Sequence, residues 1–345
     1  MSKNKSSRPN PSRKGTVTIQ ERRLLTGRSV RVCKLLTSAS NVTSPFYIDF
    51  DTTSWSALRA NTPLTLTEAD IEDIRGISVN LDMAMVEQTY LPLSRLLNLH
   101  VKAHSQLGTV TETFLGTPPV PAPFIIGIAG SVAVGKSTIS RVLQTMLARW
   151  PEHPIVELVT TDGFLLPNAT LEDRGIIDRK GFPESYDRKA LLEFVARSAA
   201  GETELEVPVY SHVAYDIVPG QVRVIERPDI LIVEGLNVLQ AGESGAFVSD
   251  YFDFSIFVDA DPTDIETWYL ERFLALRDTA FALPDAYFSK YAKLTDEEAT
   301  EVASEIWRSV NLKNLIENIL PTKERASLIL EKAADHSVER VRLRR

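Results

Sequence analysis

The sequence predicts an α/β fold in which a mainly parallel β-sheet carries helices on both faces, with a helical segment on its N-terminal side. Four short segments are apolar at nearly every position, which is typical of strands buried on both faces of a parallel sheet. They span residues 124–129, 155–160, 230–233 and 254–258. Helical patterns, among them residues 263–279 and 296–320, alternate with these segments, as they do in βαβ units.

The N-terminal side of the predicted sheet has a helical pattern. Residues 55–60 predict a short helix, and Thr65 or Thr67 is placed to cap the next helix, because acidic residues follow in its first turn. Apolar residues at helical spacing then predict a longer helix over about residues 83–104. Pro92 would break or kink that helix, because proline lacks the backbone N–H that the helix needs.

A segment rich in Gly and Pro, residues 116–121, is predicted to be a linker. It separates an N-terminal helical part over about 45–115 from an α/β core over about 124–345, and we assign both parts to a single domain over 36–345. At the C-terminus, residues 340–345 alternate between basic and apolar side chains, which predicts a terminal edge strand.

The composition is that of a globular protein, with 43% hydrophobic and 24% charged residues. The single cysteine, Cys33, excludes an internal disulfide and a cysteine-rich metal site. No apolar run is long enough to span a membrane, and the polar, basic N-terminus lacks the apolar stretch of a secretory signal. These features predict a cytoplasmic protein without a membrane partner.

The basic residues are concentrated at one end of the chain. The formal net charge is −8, yet residues 1–35 hold ten of the 38 Lys and Arg residues and only one acidic residue, Glu21. A disordered basic extension is the favoured interpretation. A nucleic-acid or membrane tether is the alternative, but no aromatic residue lies among these charges before Phe46, so nucleic acid is not an expected partner.

Residues 130–137 match the pattern G-x-x-x-x-G-K-S between a predicted strand and a predicted helix, which is the context of a phosphate-binding loop. In such a loop the backbone N–H groups and the positive end of the following helix bind phosphate groups. Lys136 would reach the β- and γ-phosphates, and the Ser137 hydroxyl would ligate Mg²⁺. The sequence therefore predicts a P-loop NTPase fold with ATP and Mg²⁺ as cofactors. The predicted nucleotide-binding residues are Gly130, Ser131, Val132, Ala133, Val134, Gly135, Lys136 and Ser137.

Two other predicted strands end in carboxylates. Asp162 follows the strand at 155–160, and Glu234 follows the strand at 230–233. Ligands of open α/β sheets bind at the carboxyl ends of the strands, so both side chains are expected beside the phosphate loop. Asp162 is the candidate base that accepts the proton of an attacking hydroxyl, and Glu234 is a candidate second ligand for Mg²⁺. The less specific alternative is that each acid merely caps a strand end.

Beyond these motifs, the chain from about residue 45 to the C-terminus resembles bacterial type I pantothenate kinase, a P-loop kinase related to phosphoribulokinase and uridine kinase. The resemblance is carried by several runs in the same order along the chain. They are residues 130–137, TTDGF at 160–164, KGFPESY at 180–186, PVYSH at 208–212 with Tyr215 and Asp216, EGLNVLQ at 234–240, Trp268 and Tyr269 with Arg272 and Phe273, and NILPT at 318–322.

This resemblance implies ATP-dependent phosphorylation of pantothenate to 4′-phosphopantothenate, the first step of coenzyme A biosynthesis, by a homodimer that coenzyme A inhibits. It implies that Asp162, Lys136 and Arg272 are catalytic. The implied pantothenate-binding residues are Tyr210, His212, Tyr215, Tyr269 and Asn311. Arg141, with Lys136 and His212, is implied to bind coenzyme A. Arg141 lies four residues after Ser137 and so on the same face of the predicted helix.

The sequence also departs from the pattern that it resembles. Ser78 stands where some relatives have an Asn near the nucleotide base, Leu276 replaces an aromatic residue, and the loop at 241–247 is short. A uridine-kinase-like or phosphoribulokinase-like enzyme is the alternative among small-molecule kinases. A non-catalytic nucleotide-binding regulator would not need Asp162, and a nucleic-acid-associated ATPase would depend on residues 1–35.

Overall fold

The computed structural model describes residues 20–23, 29–32, 46–75, 81–118, 121–241 and 245–345, and of the first two ranges only the backbone. The chain divides into two units, of which the larger begins at Phe46. In the smaller unit, strands β1 (Gln20–Arg23) and β2 (Ser29–Val32) pair antiparallel. The predicted disordered extension otherwise lies outside the described residues.

A seven-stranded sheet forms the centre of the larger unit, with the strand order β3-β11-β10-β9-β4-β8-β5. Strands β10, β9, β4, β8 and β5 run parallel, whereas β11 is antiparallel to both β10 and β3. Strands β6 and β7 form a separate antiparallel pair. The strands are β3 (Tyr47–Asp51), β4 (Phe124–Gly130), β5 (Val156–Thr160), β6 (Glu204–Ser211), β7 (Asp216–Glu226), β8 (Ile230–Gly235), β9 (Phe254–Ala260), β10 (Leu328–Lys332) and β11 (Val338–Arg344).

The predicted α/β class and its four apolar strands are confirmed, with bounds that shift by at most two residues. The prediction for the C-terminus was wrong in one respect, because β11 lies inside the sheet and β3 forms the edge beside it. Strand β10 was not predicted, although all five of its residues are buried. The β6–β7 pair was also missed, since its residues alternate in burial only over the first half of β6.

Helices cover both faces of the sheet, and several are interrupted by wider π-turns. The α-helices are α1 (Thr52–Ala57), α2 (Glu68–Ile74), α3 (Met83–Met85), α4 (Leu91–Leu115), α5 (Lys136–Leu147), α6 (Asn168–Asp173), α7 (Arg188–Ala199), α8 (Pro262–Arg277), α9 (Asp296–Ile306) and α10 (Leu312–Asn314). The π-turns are Val86–Tyr90, Trp307–Asn311 and Leu315–Ile319. Among the described residues, no helix is both long and apolar enough to cross a bilayer.

Local sequence explains how the N-terminal helices begin. Thr67 caps α2 with a reciprocal capping box, in which its side chain bonds to the backbone of Asp70 and the Asp70 carboxylate bonds back. Pro92 does not break the predicted long helix, which continues to Leu115. A π-turn precedes the proline, and Pro92 takes the second position of α4, where its missing N–H is tolerated.

Strand β4 is central to the core, because each of its seven residues is buried. Helix α5 packs a buried face that includes Ile139, Leu143 and Leu147 beside β4, β5 and β8. Burial on both faces of the strand fixes the position where β4 ends and α5 begins. The phosphate loop therefore lies on a rigid base at the carboxyl edge of the sheet.

Candidate active site

The loop between β4 and α5 has the backbone geometry of an anion site. Gly130 and Gly135 adopt positive φ angles of 149° and 98°, and Ala133 adopts 61°. At Gly130 a side chain is excluded as well, since a Cβ atom would lie 2.5 Å from the Val258 carbonyl oxygen. Helix α5 then starts at Lys136, so the positive end of its dipole faces the loop.

Lys136 is only 8% exposed and donates a hydrogen bond of 2.8 Å to the carbonyl oxygen of Ser131 at the start of the loop. Burial lowers the pKa of Lys136, while the carboxylates of Glu234 and Asp162 oppose that shift. From the other side, Lys332 of β10 donates a hydrogen bond of 3.0 Å to the Val134 carbonyl oxygen. The loop is thus held between two buried lysines.

Glu234 lies at the end of β8, next to the first turn of α5. The Ser137 hydroxyl donates a hydrogen bond of 2.8 Å to one carboxylate oxygen of Glu234. Its other oxygen, Oε2, is buried without a hydrogen-bond partner in the described part of the chain, and burial raises the pKa of this carboxyl group. A hydroxyl beside an unsatisfied carboxylate is a donor set that suits Mg²⁺. We call residues 130–137 with Arg141 and Glu234 the phosphate half of the site.

Asp162 lies in a 3-10 turn, Thr161–Phe164, that directly follows β5. The strand order places β8 between β4 and β5, so Asp162 is two strands away from the loop although β5 is the next strand in sequence. Its negative charge nevertheless raises the pKa of Lys136 and of Glu234. On the side away from the loop, it also raises the pKa of Tyr210. Asp162 therefore lies between the phosphate loop and a wall of tyrosines.

Arg272 of α8 completes the ring of charges around this point. Its side chain is open to solvent on one side, yet protein surrounds it closely enough that burial lowers the pKa of the guanidinium. Glu234 and Asp162 raise that pKa, and Arg141 lowers it. Two carboxylates and two guanidinium groups are therefore close neighbours beside the phosphate loop.

Arg141 lies one turn after Ser137 on α5, and its side chain is half-buried. Its Nε atom is buried and has no hydrogen-bond partner among the described residues. The charge of Arg141 acts on the pKa of both Glu234 and Arg272, so the guanidinium faces the phosphate side. The structure thus places Arg141 where an additional anionic group would find an unsatisfied donor.

Aromatic side chains from separate segments form the opposite wall. On the β6–β7 pair, the Tyr210 ring lies 5.2 Å from the His212 ring and 6.3 Å from the Tyr215 ring, measured between centroids. On α8, the Tyr269 ring lies 5.6 Å from the Trp307 ring, measured between centroids, and the Asn311 side chain is close enough to affect the pKa of Tyr269. The structure brings four of the five predicted pantothenate contacts into this wall, while His212 lies at its exposed rim.

Lys180 is a residue of this site that the sequence analysis did not single out, although it begins the run KGFPESY. Its amino group donates a hydrogen bond of 2.6 Å to the Asn168 side chain and another to the Tyr215 carbonyl oxygen, and it lies 4.2 Å from the Tyr215 ring centroid. Burial lowers the pKa of Lys180 to about 8, against the opposing charges of Asp216 and Asp162. We call Lys180, Tyr210, Tyr215, Tyr269 and Asn311 the acceptor half of the site.

Of the departures noted in the sequence, Leu276 lies one turn after Arg272 on α8, and the others involve residues beyond the described ones. Leu276 packs against a small aromatic cluster that contains Phe273 and Phe281. Ser78 and residues 242–244 lie outside the described residues. Tyr215, by contrast, has a positive φ of 53°, a strained conformation that its carbonyl contact with Lys180 helps to hold.

Comparisons with known proteins match the elements that build this site. The model of the Phosphoribulokinase / Uridine kinase family matches residues 125–278. A protein named pantothenate kinase from Corynebacterium glutamicum is 58% identical over 300 residues, which cover 87% of this chain and 96% of that protein. The pantothenate kinase of Rhodococcus opacus is 57% identical over 301 residues, covering 87% of this chain and 97% of its own. Among solved structures, a phosphoribulokinase from Rhodobacter spheroides has a TM-score of 0.42 at 16% identity and covers 61% of this chain and 70% of its own.

Proposed function

The chain belongs to the pantothenate kinase family, and from this premise we propose that it transfers the γ-phosphoryl group of ATP to a hydroxyl of pantothenate, giving 4′-phosphopantothenate. The observation that carries the proposal is the position of Asp162. Its negative charge raises the pKa of Lys136 in the phosphate half and the pKa of both Lys180 and Tyr215 in the acceptor half. A base is needed at that junction, where a bound hydroxyl would meet a bound phosphate.

The phosphate half binds and orients the nucleotide. The loop N–H groups and the α5 dipole attract the phosphates, and the Lys136 ammonium, which bonds to the Ser131 carbonyl at the start of the loop, can turn towards them. Ser137 and Glu234 are the residues that would hold Mg²⁺. When bound, the ion neutralises phosphate charge.

Transfer itself requires a base and cations close to the γ-phosphoryl group. Asp162 orients the pantothenate hydroxyl and accepts its proton as the oxygen attacks phosphorus. Arg272 lies beside Asp162 and Glu234, so its guanidinium can stabilise the charge that spreads over the phosphoryl oxygens. Lys180 supplies a further cation from the acceptor side. The carboxylates and the cations thus have separate tasks in one reaction.

The acceptor half suits a small molecule with both polar and apolar parts. Pantothenate offers hydroxyls, an amide, a carboxylate and two methyl groups, which hydroxyl-bearing aromatic rings can match. Tyr210, Tyr215 and Tyr269 present rings with phenol groups, and Asn311 adds an amide close to Tyr269. His212 stands at the rim, where it would contact the part of the ligand nearest solvent.

Inhibition by coenzyme A forms part of the proposal. Coenzyme A carries phosphate groups and a pantothenate-derived arm, so it would compete with ATP for the phosphate half while entering the acceptor half. Arg141, Lys136 and His212 are the proposed contacts. Support for Arg141 comes from its buried Nε atom, which lacks a hydrogen-bond partner within the described part of the chain.

A homodimer is also proposed, and α4 is the proposed contact surface. The C-terminal part of this helix exposes large apolar side chains: Leu99 is 50%, Leu107 66%, Val110 64% and Phe114 87% exposed. They follow one another at intervals of three, four or eight residues, so they share one helical face. An exposed apolar stripe of this kind is favourable only when another surface covers it.

The proposed location is the cytoplasm, which supplies ATP.

A coupled assay that measures ADP release tests the substrate assignment. Pantothenate, uridine and ribulose 5-phosphate would be compared at equal concentrations, each with and without coenzyme A. We expect turnover with pantothenate alone and its suppression by coenzyme A. Turnover with uridine or ribulose 5-phosphate, and none with pantothenate, would instead assign the chain to the alternative branch of the family.

A further inference from the structure

Two glycines pack tightly at the turn that carries Asp162 and leave no room for a side chain. Gly163 lies within the turn, and Gly235 lies at the end of β8. A Cβ atom on Gly235 would lie 2.1 Å from Oγ1 of Thr161 and 2.8 Å from its Cγ2 atom. A Cβ atom on Gly163 would lie 2.5 Å from the carbonyl oxygen of Pro208. Real Cβ atoms do not approach other atoms so closely, so a methyl group at either position would force its neighbour to move.

These glycines are needed for space rather than for backbone conformation. Gly130 and Gly135 of the phosphate loop have positive φ angles, whereas neither Gly163 nor Gly235 adopts the left-handed region. Alanine could therefore take the same backbone conformation at both positions, apart from the collision of its methyl group. The absence of a side chain sets the distance between two packed segments.

Each contact joins Asp162 to a different half of the site. Gly235 follows Glu234 on β8 and touches Thr161, the residue before Asp162, so this contact spaces Asp162 from the phosphate half. Gly163 follows Asp162 and touches Pro208, two residues before Tyr210 on β6, so it spaces Asp162 from the acceptor half.

We propose that Gly235 and Gly163 are positioning residues, which hold the Asp162 carboxylate at the reach required for phosphoryl transfer. Gly235 does so by packing against the Thr161 side chain, and Gly163 by packing against the Pro208 carbonyl. The inference rests on the proposed function, in which Asp162 is the base. Reacting groups must meet within a few tenths of an ångström, and a displacement of about 1 Å can cost about 10²-fold in rate. The two contacts predict different kinetic consequences.

The first experiment replaces Gly235 and relieves the collision from the opposite side. Gly235→Ala is expected to lower kcat with pantothenate by about 10²-fold, while the KM for ATP changes by less than about 3-fold. Thr161→Ala removes the two closest atoms, so the double variant is expected to regain at least about 10-fold in kcat over Gly235→Ala. Strictly additive losses in the double-mutant cycle would overturn the proposal. Recovery of folding only in the double variant would support it, because it would prove the contact.

The second experiment separates the two sides. Gly163→Ala is expected to raise the KM for pantothenate by about 10-fold and to lower kcat less than Gly235→Ala does, because it displaces the strand that carries Tyr210. Gly108→Ala is the matched control, since a Cβ atom there meets no atom within 4 Å, and it should leave both constants unchanged. Equal changes of kcat and KM in both site variants would contradict the split. Wild-type protein without pantothenate turnover would instead reject the proposed function.

Discussion

The two halves of the site are built in different ways. The phosphate half comes mostly from one continuous run, residues 130–137, in which backbone N–H groups, the start of α5 and a buried lysine point to one place. The acceptor half is assembled from segments far apart in sequence: Tyr210 and Asn311 are separated by about a hundred residues. Charge and backbone geometry thus define one half, and the packing of aromatic rings defines the other.

This difference predicts different responses to substitution. In the phosphate half the ionisable side chains of Lys136 and Glu234 are almost inaccessible to water, so the loss of one leaves the other unbalanced. In the acceptor half several neutral hydrogen bonds and ring contacts share the binding energy, and each is worth about 1 kcal/mol. Loss of Lys136 from the phosphate half should therefore abolish turnover, whereas changes to the tyrosines and Asn311 of the acceptor half should mainly weaken substrate binding.

The largest effect is expected for Lys136→Ala. The variant loses the ammonium group that would contact the transferred phosphate, and we expect ATP turnover to fall by about 10³-fold or more. Lys313→Ala, at an exposed position on α10, is the matched control and should retain wild-type kcat. ADP release at saturating pantothenate is the measurement, and Lys136→Ala activity within 10-fold of wild type would contradict the assigned role.

Asp162→Asn should come next. The amide keeps the shape of the side chain but cannot accept the hydroxyl proton, so kcat is expected to fall by about 10²-fold or more, with ATP affinity largely retained. Nucleotide binding measured by calorimetry, together with kcat from the coupled assay, tests both parts. Unchanged turnover would show that another group is the base.

The same comparison explains what the sequence could predict. The loop, Asp162 and Glu234 each follow a segment that is apolar at nearly every position. The strand, the turn and the functional residue are therefore all visible in one short stretch of sequence. The assignments of Tyr269 and Asn311 came only from resemblance, because a tyrosine and an arginine three residues apart on a helix look like ordinary packing and solvation. No local sequence pattern identifies Asn311 as a site residue. It comes close to Tyr269 only because the π-turn Trp307–Asn311 packs against α8 in the folded chain.

Strand β10 and the β6–β7 pair are parts of the fold that could not be predicted from the sequence. β10 is a short apolar run between a helical pattern and the predicted terminal strand, and such a run is compatible with a helix or a strand until a neighbour pairs with it. The edge position of β3 could not be predicted either, because strand order depends on contacts between residues almost three hundred positions apart. Lys180 was missed for a similar reason, since its partners Tyr215 and Asn168 lie on other segments.

The pH dependence of Lys180 tests the acceptor half. A lysine whose pKa is lowered to about 8 loses its charge as the pH rises through 8, so kcat/KM for pantothenate should decline above that pH. Lys180→Arg keeps its charge throughout this range and should move the decline to higher pH, even if its activity at neutral pH is lower. A profile that declines at the same pH in both proteins would assign the titration to another group.

A smaller effect is expected for Tyr269→Phe. Removal of one phenol oxygen deletes a polar group beside Asn311 but leaves the ring against Trp307, so the KM for pantothenate should rise by about 3- to 10-fold with kcat within about 2-fold. Tyr251→Phe, in the turn before β9, is the control and should change neither constant. A large loss of kcat at unchanged KM would mean that Tyr269 acts in transfer rather than in binding.

The smallest effect on catalysis, and the sharpest test of how the two halves are linked, is expected for Arg141→Ala. Its guanidinium faces Glu234 and Arg272, and its Nε atom has no hydrogen-bond partner among the residues that the structure describes. Lys136 and the loop already provide the donors that ATP needs. An inhibitor with an additional phosphate group would depend on Arg141 more than ATP does. We therefore expect the inhibition constant of coenzyme A to rise by about 10-fold or more, while kcat/KM for ATP changes by less than about 3-fold. Arg141→Lys, which keeps the charge but not the planar donors, should fall between wild type and Arg141→Ala. Equal losses of inhibition and catalysis would place Arg141 in the nucleotide site alone.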